Sequence, residues 1–151
     1  MKVGDQIGFA LQVRRWKRNA IRRRVDELAE LLGVAHLLKR RPEGLSGGER
    51  QRIALGRALA ANPGVLCLDE PLSALDDTTR EDMYSLLKSV GEHTGVTTLR
   101  ITHRHNEAKR LGDVMFRISG GKVEAVSIDD LSRLPEESSP SGVSASARME
   151  A

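Results

Sequence analysis

The stretch Val65–Asp76, VLCLDEPLSALD, decides how the rest of the chain is read. Four apolar residues, Val65 to Leu68, run straight into the adjacent acids Asp69 and Glu70. Pro63 and Gly64 precede the run, and a short continuous apolar segment bounded this way reads as a strand buried on both faces. Ligands of open α/β sheets gather outside the C-terminal ends of the strands, where these acids fall. An aspartate there suits the oxygen shell of magnesium, and a neighbouring glutamate can orient or deprotonate a water. Two acids after a strand are also ordinary loop residues, so the pair takes its meaning from what surrounds it.

Upstream lies LSGGERQRIALGRAL, Leu45 to Leu59. Ser46 and Glu49 form an S-x-x-E capping box, which starts a helix with Ile53, Ala54, Ala58 and Leu59 as its apolar face and Pro63 as its end. The first residues of that helix, Gly47 and Gly48, leave their N–H groups uncovered by any side chain. An anion can sit against such amides and the positive end of the helix dipole. An ordinary capped helix accounts for Ser-Gly-Gly equally well.

Downstream, Met83, Leu86, Leu87 and Val90 recur at helical spacing, with Gly91 as the expected stop. Val96 to Ile101 reads as the next strand and ends just before His103, which can donate to a phosphate oxygen or simply bond to backbone. His105 follows, but no third ligand stands at zinc spacing. A short helix around Asn106–Leu111 precedes a hairpin, in which Val114–Ile118 and Val123–Ile128 flank Ser119-Gly120-Gly121-Lys122. Cys67 reads as a small core residue, and His36 and His93 as solvated.

Before the capping box, Ile21, Val25, Leu28 and Leu32 mark a helix stopped by Gly33. Seven of the eleven residues from Arg14 to Arg24 are basic. That run reads as a solvated face or as a contact to nucleic acid or phospholipid, and the single Trp16 makes no base-stacking platform. A formal charge of +3 over 151 residues is too small to imply nucleic acid. One cysteine excludes an internal disulfide framework, and no apolar run approaches a membrane span. The N-terminal residues lack a secretory pattern, so the expected location is cytoplasmic. Strands alternating with helices give an α/β fold with a parallel sheet. The expected organisation is a helical part at 1–44, a core at 45–126 and a Ser- and Glu-rich disordered tail at 127–151.

Taken in order, LSGGERQRIALGRALAANPGVLCLDEPLSALD and GVTTLRITH resemble the ATPase subunits of ATP-binding cassette (ABC) transporters. The resemblance covers about Val3 to Val126. LSGGERQ looks like the family signature, VLCLDE like the Walker B strand, SALD like the D-loop and ITH like the switch-histidine strand. It implies that Leu45, Ser46, Gly47, Gly48 and Glu49 face the ATP of an opposite subunit. It also implies that Asp69 reaches Mg²⁺ through water, that Glu70 is the catalytic base and that Asp76 couples two sites. His103 would hold the γ-phosphate and the attacking water. The implied fold is the C-terminal portion of an ABC-type P-loop NTPase domain. The implied partners are a second ATPase subunit, head to tail, and membrane permease subunits that hold the protein at the inner face of the membrane. EPLSALD and MKVGDQIGFAL are similar to importer subunits, and RRPEGLSGGERQRIALGRALA to molybdate, tungstate or sulfate-type importers.

A phosphate loop requires G-x-x-x-x-G-K followed by Ser or Thr. The only Gly-Lys pair is Gly121-Lys122, with Phe116 at the partner position and Val123 after it. The 151 residues therefore contain no such loop. The chain reads as truncated at its N-terminus, unable to bind ATP alone and completed by a separate N-terminal fragment. A sheet without the family's early strands is expected to expose an apolar edge. Arg104 stands where importers carry an acid after the histidine, and the tail is shorter than an importer's regulatory β-barrel. A non-catalytic module offering its signature to a partner's ATP stays open. A split ATPase of the chromosome-maintenance type is disfavoured, because Met1–Arg41 shows no sustained heptads.

Overall fold

The computed structural model of the chain describes residues 1–127 and, as backbone, the strand Gly142–Ser146. It divides into two compact units, one ending at Pro63 and the other beginning at Gly64. The signature helix falls in the first unit, with the helices before it.

The first unit contains α1 (Val3–Val13), α2 (Arg18–Leu31), a 3₁₀ turn (Ala35–Leu37) and α3 (Gly47–Ala60). Its core is Ile7, Leu11, Leu28, Leu32, Leu37 and Leu59, each no more than 1% exposed. The α2 periodicity holds, with Gly33 just past its end at φ +68°. Helix α1 was not foreseen as an element, since Gly4 and Gly8 weaken its propensity. Tertiary contact explains Gly8. A Cβ there would lie 3.0 Å from Ile21 Cγ2 and 3.1 Å from Val25 Cγ2, so only glycine allows α1 to approach α2 this closely.

The apolar face of α3 is Ile53, Leu55, Gly56, Leu59 and Ala60, while Ala54 and Ala58 are exposed. This corrects the expected face by a rotation of the helix, because Leu55 outweighs two alanines in buried area. Arginines occupy the carbonyl ends of the helices. Arg14 and Arg24 donate to Ala61 O and Leu59 O after 3.2 and 3.1 Å, and Arg52 donates to Leu32 O at 3.0 Å.

The second unit contains β1 (Val65–Asp69), α4 (Asp77–Thr94), β2 (Thr97–Thr102), α5 (His105–Leu111), β3 (Val114–Ser119), β4 (Lys122–Val126) and β5 (Gly142–Ser146). The sheet order is β1-β2-β5-β3-β4. Strands β1 and β2 are parallel, running from Val65 opposite Thr97 to Asp69 opposite Ile101. Strand β5 is antiparallel to both β2 and β3, which makes those two parallel to each other. The hairpin β3–β4 closes through Gly120 and Gly121, both at positive φ, as a two-residue primed turn demands.

Three local expectations are corrected here. Strand β1 is an edge strand with one face open, so Val65 is 56% exposed and Cys67 is exposed rather than in the core. Helix α4 continues through Gly91 and stops at Gly95, whose φ of +62° supplies the left-handed cap that Gly91 does not. Of the expected disordered tail, most residues lie outside the described ones, but Gly142–Ser146 pairs into the sheet.

Candidate functional site

Strand β1 delivers Asp69 and Glu70 to the C-terminal edge of the parallel pair, as the sequence implied. Glu70 then turns the chain sharply, with φ at +44°, a conformation that non-glycine residues adopt uncommonly. Its N–H still completes the ladder, donating to Ile101 O at 2.9 Å. Its carbonyl accepts from Ser73 N–H at 3.2 Å and from Ser73 Oγ at 3.0 Å. The turn carries the carboxylate across to the end of β2. Glu70 Oε1 accepts from the His103 N–H at 2.9 Å and lies 3.3 Å from His103 Nε2. A carboxylate and an imidazole, both partly exposed, thus meet where the two strands end.

The loop after Glu70 is anchored by Leu72 and Leu75, both buried. Arg80, which sequence reasoning missed, holds it from α4. Its Nε reaches Leu72 O at 3.5 Å, and its guanidinium also donates to Leu75 O and Asp77. Asp76 caps α4, accepting from Thr79 N–H at 3.0 Å and from Thr79 Oγ1 at 2.7 Å. The backbone N–H of Thr79 first, then its hydroxyl, holds the Asp76 carboxyl below its ordinary value.

Beneath His103 lies a second layer with no sequence forewarning. Thr102 Oγ1 accepts from Arg104 N–H at 3.1 Å and donates to Glu107 Oε2 at 3.1 Å. Glu107 is 1% exposed, and its Oε1 has no hydrogen-bond partner among the described residues. Burial pushes its carboxyl up, against the opposing bond from Thr102 and with the help of the nearby Glu70 charge. Arg100, also buried, donates to Leu111 O. Tyr84, His103, Arg104, His105 and Asn106 line a cavity of about 320 Å³. Arg110 stacks 4.1 Å from the centre of the Tyr84 ring and pairs with Glu81 through two bonds of 2.5 and 2.7 Å.

The signature residues belong to the helical unit. Ser46 Oγ accepts from Glu49 N–H at 3.2 Å, and Ser46 N–H donates to Glu49 Oε2 at 2.8 Å, so both halves of the capping box form. Ser46 and Gly47 are exposed, whereas Leu45 and Gly48 are buried. Arg50 fixes the approach by donating to Leu45 O at 2.7 Å.

Magnesium fits Asp69 in one mode only. It commonly binds one or two carboxylates and completes its shell with waters and substrate phosphates. Asp69 is an exposed carboxylate of that kind, and no cluster of three or more metal-binding side chains gathers among the described residues. For a nucleotide the residues fit in part: they supply acids, a histidine and free helix amides, but no lysine loop.

A solved structure of a metal-chelate type ABC transporter in an inward-facing conformation superposes on 98% of this chain and is itself covered to 67%, with a TM-score of 0.78 and 22% identity. The fold is therefore the mixed α/β fold of an ABC ATPase. The family model described as ABC transporter matches residues 2–73. Residues 2–73 thus carry part of an ABC transporter ATP-binding domain. It is 45% identical over 130 residues to a trehalose/maltose import ATP-binding protein of Thermococcus litoralis, covering 86% of this chain and 35% of that protein. A molybdate/tungstate import ATP-binding protein of Thermococcus kodakarensis is 45% identical over 126 residues, covering 83% of this chain and 38% of its own length. For a sulfate/thiosulfate import ATP-binding protein of Mesorhizobium japonicum the values are 45% over 134 residues, 86% and 39%. The chain thus spans less than two fifths of the length of these curated relatives.

Proposed function

We propose that the chain supplies the signature, Walker B, D-loop and switch-histidine portion of the ATP-hydrolysing subunit of a small-solute importer. The observation that carries this reading is the junction of Glu70 and His103, with one carboxylate oxygen 2.9 Å from the histidine N–H and 3.3 Å from its ring. Such a pair suits orientation of a water by Glu70 and a hydrogen bond from His103 to a phosphate oxygen. In this reading Asp69 takes part in the shell of Mg²⁺, and Asp76 stiffens the start of α4 between two sites. Ser46, Gly47 and Gly48 face the nucleotide of a second subunit. The partners are that subunit and a permease, which places the protein on the cytoplasmic side of the membrane.

The three relatives are named for sugar, molybdate or tungstate, and sulfate import, and an oxyanion is the solute class we favour. The 151 residues hold no lysine-bearing phosphate loop, so we expect this chain alone neither to bind ATP tightly nor to hydrolyse it. The test is binding of a fluorescent ATP analogue with Mg²⁺, with and without an N-terminal fragment containing G-x-x-x-x-G-K-[ST]. Binding that requires the fragment and is lost in His103→Ala supports the reading. Tight binding by this chain alone overturns the expected inactivity. Lack of binding in both cases favours a non-catalytic module.

A further inference from the structure

The basic run that the ATPase reading leaves unused has a defined place in the helical unit. All eight residues from Gln12 to Asn19 are exposed, covering the end of α1, the connecting turn and the start of α2. Arg15 sits at the apex with φ at +56°. Not all seven cations are available. Arg14 and Arg24 are committed to the carbonyl end of α3, and Arg22 and Arg23 pair loosely with Asp26 and Glu27 at 3.9 and 4.0 Å. Arg15, Lys17 and Arg18 have no acidic partner among the described residues. They flank Trp16, which is 45% exposed, and Val13, which is 66% exposed; Phe9, one turn earlier on α1, is 52% exposed.

Free cations around an exposed indole and an aliphatic side chain match one chemistry better than others. An anionic lipid surface offers phosphates to the cations and, just beneath them, an interface that takes tryptophan and short apolar side chains. A nucleic acid backbone satisfies the cations but leaves Val13 and Phe9 in water, and a lone tryptophan gives no succession of stacked bases. We propose that the α1–α2 turn, through Arg15, Trp16, Lys17 and Arg18, binds anionic phospholipid headgroups directly. The contact is separate from anything the permease provides and does not depend on the ATPase reading.

The chain carries its own reporter, since Trp16 is its only tryptophan. The full chain is titrated with phosphatidylcholine vesicles, with or without phosphatidylglycerol, while Trp16 emission and cosedimentation are followed. The expected result is a blue shift and sedimentation with the anionic vesicles only, both reversed by added salt. At roughly a fivefold loss per cation, the triple variant R15E/K17E/R18E weakens partition by about a hundredfold or more. The three side chains are exposed, so helical circular dichroism should be unchanged, and the milder Lys17→Gln should weaken binding in the same direction. An unshifted Trp16 overturns the proposal. So does equal binding to neutral vesicles, which would mean apolar stickiness alone, or duplex DNA that competes with the anionic vesicles mole for mole of phosphate, which would mean a general polyanion site.

Discussion

The two units bury their apolar residues in different ways. In the helical unit, three helices close on one another around side chains no more than 1% exposed, and arginines satisfy the helix ends internally. In the sheet unit, β1 lies at the edge of the sheet, pairs with β2 alone among the described residues and leaves Val65 and Cys67 in solvent. The other edge, β4, is exposed along most of its length. A helix satisfies its backbone within itself, so a piece of a helical layer can be self-contained. A strand needs neighbours on both sides, and an uncovered one presents unpaired N–H and C=O groups to any other chain. Of the residues proposed to act on nucleotide, Asp69, Glu70 and His103 cluster at one end of the less enclosed unit, whereas Ser46, Gly47 and Gly48 belong to the helical one.

The largest expected effect tests whether the helical unit is the more cohesive. Leu32→Ala should destabilise it by about 2–5 kcal/mol, since it empties a fully enclosed site. Denaturant unfolding followed by the emission of Trp16, which lies in that unit, measures the loss. A cost under about 1 kcal/mol would show that the site collapses and that the contrast is shallow.

Glu107 offers a pH-dependent probe of the sheet unit. Its folded pKa is raised, chiefly by burial, so the folded state holds the proton more tightly than the unfolded chain. The stabilising contribution is full below the ordinary carboxylate value and is lost as pH rises from there through the raised one. Glu107→Gln should flatten that fall and raise stability at neutral pH, as read from denaturation midpoints across pH. Asp76 and Glu81 act in the opposite sense, because their carboxyls are held low and their contribution fades as pH falls. An unchanged pH slope in the variant would remove Glu107 from this role.

Smaller effects should separate a cap from an exposed strand residue. Ser46→Ala removes the acceptor for the Glu49 N–H and should cost about 1 kcal/mol, with Ser46→Gly losing only a few tenths. Cys67→Ala, on the open face of β1, should change stability by less than about 0.5 kcal/mol. A loss of several times that would mean that the face is covered in solution, for instance by a second chain, and concentration dependence of the midpoint would tell which.

Much of the candidate site was legible in advance because its signals are local. Ser46 and Glu49 are three residues apart, Asp69 and Glu70 end an apolar run, and Gly120-Gly121 closes a hairpin, so consecutive residues carry the information. The acids and the histidine were placed correctly at strand ends for the same reason. What consecutive residues could not carry was the facing of each element. The α3 face, the exposure of Cys67 and the extension of α4 to Gly95 all depend on which neighbours are present to cover them. Helix α1, weak by propensity, forms because α2 and α3 bury its Ile7 and Leu11.

By itself the sequence determined the class of fold, the order of the elements from α2 to β4 and the chemical character of Ser46, Asp69, Glu70, Asp76 and His103. It also determined that no lysine-bearing phosphate loop accompanies them in these 151 residues. Only the tertiary structure decided that Glu70 turns through a positive φ to meet a histidine 33 residues away, and that Glu107 is sealed beneath the same turn. The physical reason is reach. Capping and periodicity act over a few residues, whereas the direction of a side chain at a strand end and the burial of a charge are set by distant segments, whose packing repays the strain and the desolvation.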